Sequence, residues 1–204
     1  RQFGLDKPLW WQYLRYCGEA LTGNLGVSYQ YRQPVVQVIS AALKETVPLA
    51  VSALALALVL AVFNALLTAG RHPRLRSLLA GLELMLLSTP VYWIGIVLLS
   101  IFSFKLQWFP VTGNDGWIAL VLPVVTLSLP LAATLSQVLR DGLEEALSQP
   151  FAMTVRTRGV SETALRLRHA LRHASLAVST LTGTLLASVL GGSILTATVF
   201  GRAG

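Results

Sequence analysis

Thr46–Ala69 reads TVPLAVSALALALVLAVFNALLTA, 24 residues without one charged side chain. The hydrocarbon core of a bilayer is about 30 Å thick and takes roughly 20 apolar residues as a helix, so this stretch is long enough to cross. Three further stretches meet the same condition: Leu84–Phe104, Trp117–Leu139 and Ala174–Phe200. Worked outward from these, the chain reads as all-α, a polytopic membrane helix bundle. Its four transmembrane helices fall at about residues 46–69, 80–104, 117–139 and 174–200.

Composition points the same way. Of 204 residues, 54% are hydrophobic and only 12% charged, with a mean hydropathy of +0.64. A soluble domain is typically about 25% charged. Halving that leaves too little polar surface to coat a globule in water, which argues against a soluble enzyme. The net charge of +7 does not indicate nucleic acid, because the basic residues fall in loops between apolar spans. A lone Cys17 excludes a disulfide framework or a cysteine metal cluster within the chain. The chain begins at Arg1 with no visible signal peptide and stops at Gly204 just after an apolar run. Both ends read as cuts in a longer protein.

Charge asymmetry orients the spans, since Lys/Arg-rich loops stay in the cytoplasm. Arg71, Arg74 and Arg76 follow the first span, and Arg140, Arg156, Arg158, Arg166, Arg168 and Arg172 follow the third. The segment after the second span, Lys105–Gly116, has only Lys105. Residues 70–77 and 140–173 are therefore expected inside, and residues 105–116, with Asn114, outside. Residues 1–44 become an extracytoplasmic segment, and residues 45–204 the transmembrane domain. Trp10, Trp11, Tyr13, Tyr16, Tyr29 and Tyr31 in the first segment, and Trp108 and Trp117 beside the outer loop, suit a headgroup-level aromatic belt.

Inside the spans, small residues recur every four positions: Ala53, Ala57, Ala61 and Ala65 in the first, Gly183, Ala187 and Gly191 in the fourth. Such stripes let helix backbones approach in a membrane. Hydroxyls crowd the fourth span, from Ser175 to Thr198, where they either bond back to their own helix or line a wet path. Pro48, Pro90, Pro123 and Pro130 should kink or start helices. Glu83 is the one acid near a span's interior and reads as a helix-start cap or a partner of Arg76. No acid–histidine relay, intramembrane aspartate pair or HExxH helix is present, which counts against proton-coupled transport and intramembrane proteolysis.

The loop 140–173 carries the most information. Leu143 and Leu147 prolong the third span's helix. Ser148 is expected to cap a short helix with Pro150 in its first turn, running Phe151-Ala152-Met153-Thr154-Val155-Arg156-Thr157-Arg158 and stopping at Gly159. Ser161 then caps the return helix. Such a helix exposes Phe151, Met153 and Val155 among arginines. Two readings stand: a protein partner docks there, or the helix lies on lipid with Arg156 and Arg158 on headgroups.

Here the sequence resembles the transmembrane subunits of bacterial binding-protein-dependent ABC importers, in the dipeptide/oligopeptide/nickel branch. Their cytoplasmic signature is Glu-Ala-Ala, three residues, then Gly. This chain has Met153-Thr154-Val155-Arg156-Thr157-Arg158-Gly159-Val160-Ser161, followed by Arg168-His169-Ala170-Leu171-Arg172-His173-Ala174. Gly4-Leu5-Asp6-Lys7-Pro8-Leu9, Gly23-Asn24-Leu25-Gly26, Ser88-Thr89-Pro90, Trp108-Phe109-Pro110 with Gly113, and Leu122-Pro123 fall in family order. Met153 departs from the usual Arg or Glu, Val155 from Ala, Ala177 from Pro and Ala197 from Glu.

The resemblance implies a six-helix permease, with one helix before Arg1 and one after Gly204. It also implies that Phe151, Met153, Thr154, Val155, Arg156, Arg158 and Gly159 form a coupling helix against a cytoplasmic ATP-binding cassette subunit. The further partners it implies are a second permease subunit, an extracytoplasmic solute-binding protein and membrane lipid. The solute class is peptides or nickel and other metal chelates, with no cofactor, resident metal or nucleic acid. The chain has no Gly-x-x-x-x-Gly-Lys-Ser/Thr loop, so ATP would be bound elsewhere. Two alternatives remain. A membrane-embedded enzyme would use His72, His169 or His173, the last two four apart on a helix. A non-transporting assembly protein would be a degenerate or truncated copy.

Overall fold

The computed structural model describes residues 8–70, 73–111, 116–192 and 194–201. Arg71, His72, Gly113, Asn114, Gly204 and residues 1–7, named above, lie outside the described residues. Among the described residues every regular element is helical, apart from one isolated antiparallel bridge between Val27 and Pro34.

The chain divides into two compact units, residues 1–45 and 46–204. In the first, α1 spans Leu9–Leu21 and leaves its aromatic side chains largely exposed, Trp10, Tyr13 and Tyr16 among them. Arg15 pairs with Glu19 at 2.7 Å and lies over the Trp11 ring.

The second unit holds the bundle. α2 is Val35–Thr68, of which the part from Thr46 onward belongs to this unit; α3 covers Pro73–Ser88 and α4 covers Val91–Leu98. α4 continues into a π-helical stretch, Leu99–Lys105. α5 is Ile118–Ser148, α6 Pro150–Thr157 and α7 Glu162–Ala164. A second π-helical stretch, Leu165–Ala170, leads into α8, Leu171–Gly192, and then α9, Ile194–Val199.

Three helical runs are long and apolar enough to cross a membrane: Val35–Thr68, Ile118–Ser148 and Glu162–Gly192. The second expected span is different. α3 and the α4 run meet at 104°, so they make a fourth crossing only as a bent pair. The break falls at Thr89-Pro90. Proline disfavours helical backbone at the residue before it, and Pro90, with ψ at 134°, starts α4 instead of continuing α3. Pro48, Pro123 and Pro130 stay inside their helices.

α5 is the hub, packing against α8, α3 and α4. The alanine stripe does what its spacing predicts: Ala53, Ala57, Ala61 and Ala65 are all at most 1% exposed. Val51, Val59 and Phe63, elsewhere around the same helix, are exposed, as apolar side chains facing lipid would be. The second stripe differs. A Cβ at Gly183 or Gly191 would meet nothing within 4 Å beyond the local helix backbone, and Ala187 is exposed. Only Ala174, Val178 and Val189 of α8 are buried.

Candidate functional site

The loop read from sequence as residues 140–173 starts as helix. α5 continues through Arg140 to Ser148, and Leu143 and Ala146 are fully buried. Ser148 does not cap α6: its hydroxyl donates to the Glu145 carbonyl at 2.7 Å. Gln149, in extended conformation and without a side-chain cap bond, holds that position. Pro150 opens α6, where its missing N–H is no loss.

α6 ends at Thr157, and Gly159 takes φ +77°, donating its N–H to the Arg156 carbonyl at 3.0 Å. That left-handed conformation is costly for any residue with a Cβ. Ser161 caps α7 as expected, its hydroxyl accepting from the Ala164 N–H at 3.3 Å. The Glu162 carboxylate accepts from Arg156 Nε at 2.6 Å across the turn. That bond, reinforced by the acid's charge, holds the Arg156 guanidinium above its usual pKa.

The two faces of α6 are unlike. Ala152 is fully buried, and Phe151 is half-buried against the bundle core, its ring stacked on His173 with centroids 6.1 Å apart. Val155 is half-buried as well. Met153, Thr154, Arg156, Thr157 and Arg158 are exposed, Met153 to 67%. The expectation that Phe151, Met153 and Val155 are exposed together is therefore corrected. On a 3.6-residue period, 151, 152 and 155 share the inner face and 153 and 154 the outer one.

His173 packs on Phe151, His169 is exposed, and no three metal-ligating side chains come together among the described residues. The hydroxyls of α8 mostly bond back to their own helix, Ser175 to Arg172, Ser179 to Leu176 and Thr182 to Val178 at 2.6–2.8 Å.

The bundle also holds a buried group that sequence reasoning missed. Glu83 of α3 is 2% exposed and forms a buried ion pair with Arg140 of α5, itself 4% exposed. Arg140 Nε also donates to the Thr68 hydroxyl at 3.0 Å. Arg166, 7% exposed, donates to the Ala69 carbonyl. Arg76, expected to pair with Glu83, pairs instead with Glu144 at 2.9 Å. The signal was present: Arg140 is seven, four and three residues from the buried Ala133, Ser136 and Leu143, so the period places it on the buried face of α5.

Higher in the bundle, a cavity of about 460 Å³ opens at the α3–α4 bend. Its walls are mainly apolar, including Pro90, Val91, Leu127 and Leu131, with hydroxyls from Thr134 and Ser188.

Comparison with known proteins agrees with this architecture. Residues 53–204 match the family described as the binding-protein-dependent transport system inner membrane component. The glutathione transport system permease protein GsiC of Escherichia coli O6:H1 is 33% identical over 203 residues. The proteins of that name from Escherichia coli K12 and Shigella flexneri serotype 5b are 32% identical. Each match covers 98% of this chain and 66% of the relative, so the chain spans just under two thirds of their length. With several helices able to cross a membrane and a family match over most of its length, the chain is a multi-pass inner-membrane protein and belongs to the family of binding-protein-dependent transport system inner membrane components.

Proposed function

We propose that this chain is the main part of a permease subunit of an ABC importer, with α6 as the helix that docks on a cytoplasmic ATP-binding cassette subunit. The observation that carries the reading is the form of α6. It is a short helix set between two turns, rooted by Ala152 and Phe151, and it offers Met153, Thr154, Arg156 and Arg158 outward. A helix presenting one apolar anchor among cations suits a groove in a protein partner. In this reading residues 70–77 and 140–173 are cytoplasmic, and residues 1–44 face outward to a solute-binding protein. ATP hydrolysis belongs to the separate ATPase, and this subunit is no enzyme.

The exposed Gly183, Ala187 and Gly191 face of α8 takes a second permease subunit, because small residues permit close backbone contact in lipid. The solute is of peptide size and polarity. Glutathione, named for the relatives, is the first to try, and a nickel chelate is the second choice.

The test is reconstitution of the full-length permease with its cognate ATPase and binding protein, followed by ATP-dependent uptake of labelled glutathione, a mixed dipeptide pool and a nickel chelate. Stable co-purification of the ATPase with uptake of one of these is expected. A permease that inserts normally but never retains the ATPase would refute the reading.

A further inference from the structure

Two buried arginines bracket α6 in sequence, and both reach the same place. Arg140 stands on α5, which runs unbroken to Ser148 just before α6. At 1.5 Å per residue, the guanidinium-bearing position is about 12 Å from that end. Arg166 stands on the helix that returns from α6. Arg140 holds the Thr68 hydroxyl, and Arg166 holds the Ala69 carbonyl. These are consecutive residues where α2 ends, ahead of Gly70 at φ +58°. Thr68 relays the contact inward, donating to the Asn64 carbonyl at 2.7 Å.

Helix ends leave carbonyls without intrahelical partners, and cations there also answer the helix dipole. With Thr68 and Ala69 both fully buried, no water competes for these bonds. The ion pair to Glu83 adds α3 to the same node. Close by, a Cβ on Gly142 would come within 3.0 Å of the Ala174 Cβ and 3.2 Å of its Cα, so α5 and α8 cross in backbone contact. The packing of Phe151 and Ala152 of α6 against the bundle is apolar and non-directional, whereas these bonds are directional and charge-assisted.

We propose that Arg140 and Arg166, through Glu83, Thr68 and the Ala69 carbonyl, are the positioning residues that carry displacement of α6 to the end of α2. The assignment rests on α6 being the ATPase-docking helix. Packed interfaces shift between discrete arrangements instead of deforming continuously. The two arginines therefore either move α2 with α6 or release it.

The experiment uses the full-length permease assembled with its partner permease, ATPase and binding protein in proteoliposomes. The readout is ATP hydrolysed per labelled glutathione or dipeptide imported. Thr68→Val removes the Arg140 acceptor at nearly constant volume, Thr68→Ser restores it, and Arg166→Met removes the second link. ATPase co-purification should stay at the wild-type level, because no docking residue is altered. The ATP-to-solute ratio should rise about two- to thirtyfold in Thr68→Val and Arg166→Met, the span of coupling effects of this kind, and return in Thr68→Ser.

An unchanged ratio in both variants overturns the proposal. So does uptake and hydrolysis falling together in proportion to assembled protein, which marks a purely structural role. If the wild-type permease does not retain the ATPase, the importer reading itself fails and takes the proposal with it.

Discussion

Met153→Ala separates docking from folding, because Met153 is the one apolar side chain of α6 that the chain itself leaves mostly uncovered. It keeps 67% of its surface exposed. Full burial of a methionine side chain is worth about 1.5–3 kcal/mol. A partner groove closing over the exposed two thirds recovers about 1–2 kcal/mol, which is roughly five- to thirtyfold in Kd. The permease's own stability should hardly move, since little intrachain contact is lost.

Phe151→Ala is the control with the opposite signature. Phe151 stacks on His173 and packs on the bundle core. Truncating a fully buried Phe costs about 3–5 kcal/mol. Half-burial makes that about 2 kcal/mol of folding stability, with any loss of ATPase affinity following from a loosened α6. The assay pairs biolayer interferometry of the ATPase on full-length permease in nanodiscs with thermal unfolding of the permease alone. Wild-type ATPase affinity in Met153→Ala would refute the reasoning, most plainly if Phe151→Ala weakened binding without lowering the unfolding temperature. Docking would then run through the inner face of α6.

Other expectations are local. Gly159→Val should strain the turn by about 1–3 kcal/mol, because φ +77° is unfavourable to β-branched residues, whereas Gly159→Asn should stay near wild type in an ATPase pull-down. Gly142→Val puts methyl groups into the Ala174 backbone and should cost about 1–3 kcal/mol by overpacking, read as a lower unfolding temperature in detergent. Glu83→Ala leaves Arg140 buried and unpaired and should destabilise by about 3–5 kcal/mol, visible as poor recovery of folded protein. Reporter fusions at Arg74 and Arg158 should be active in the cytoplasm and one at Lys105 outside. An outside Arg158 would invert the proposed architecture.

Local chemistry was enough for much of this protein. Length and apolarity alone marked the stretches that hold the three helices long and apolar enough to cross a membrane, because a bilayer asks only for a long run of residues that tolerate hydrocarbon. The four-residue alanine spacing identified the face of α2 that packs, and Pro150, Gly159 and Ser161 bounded α6 and its return through constraints that act within a few residues. Pairing was different. Glu83 and Arg140 are 57 positions apart, and only the packing of α3 on α5 chose Arg140 over Arg76 as the partner. The same packing turned Phe151 inward onto His173 and left Met153 outside, since a helix of eight residues has two faces and its composition does not say which one meets the bundle. The 104° bend at Pro90 also needed the fold: a proline can kink a helix or start a new one, and what decides is whether neighbouring helices have room for the second segment to turn away.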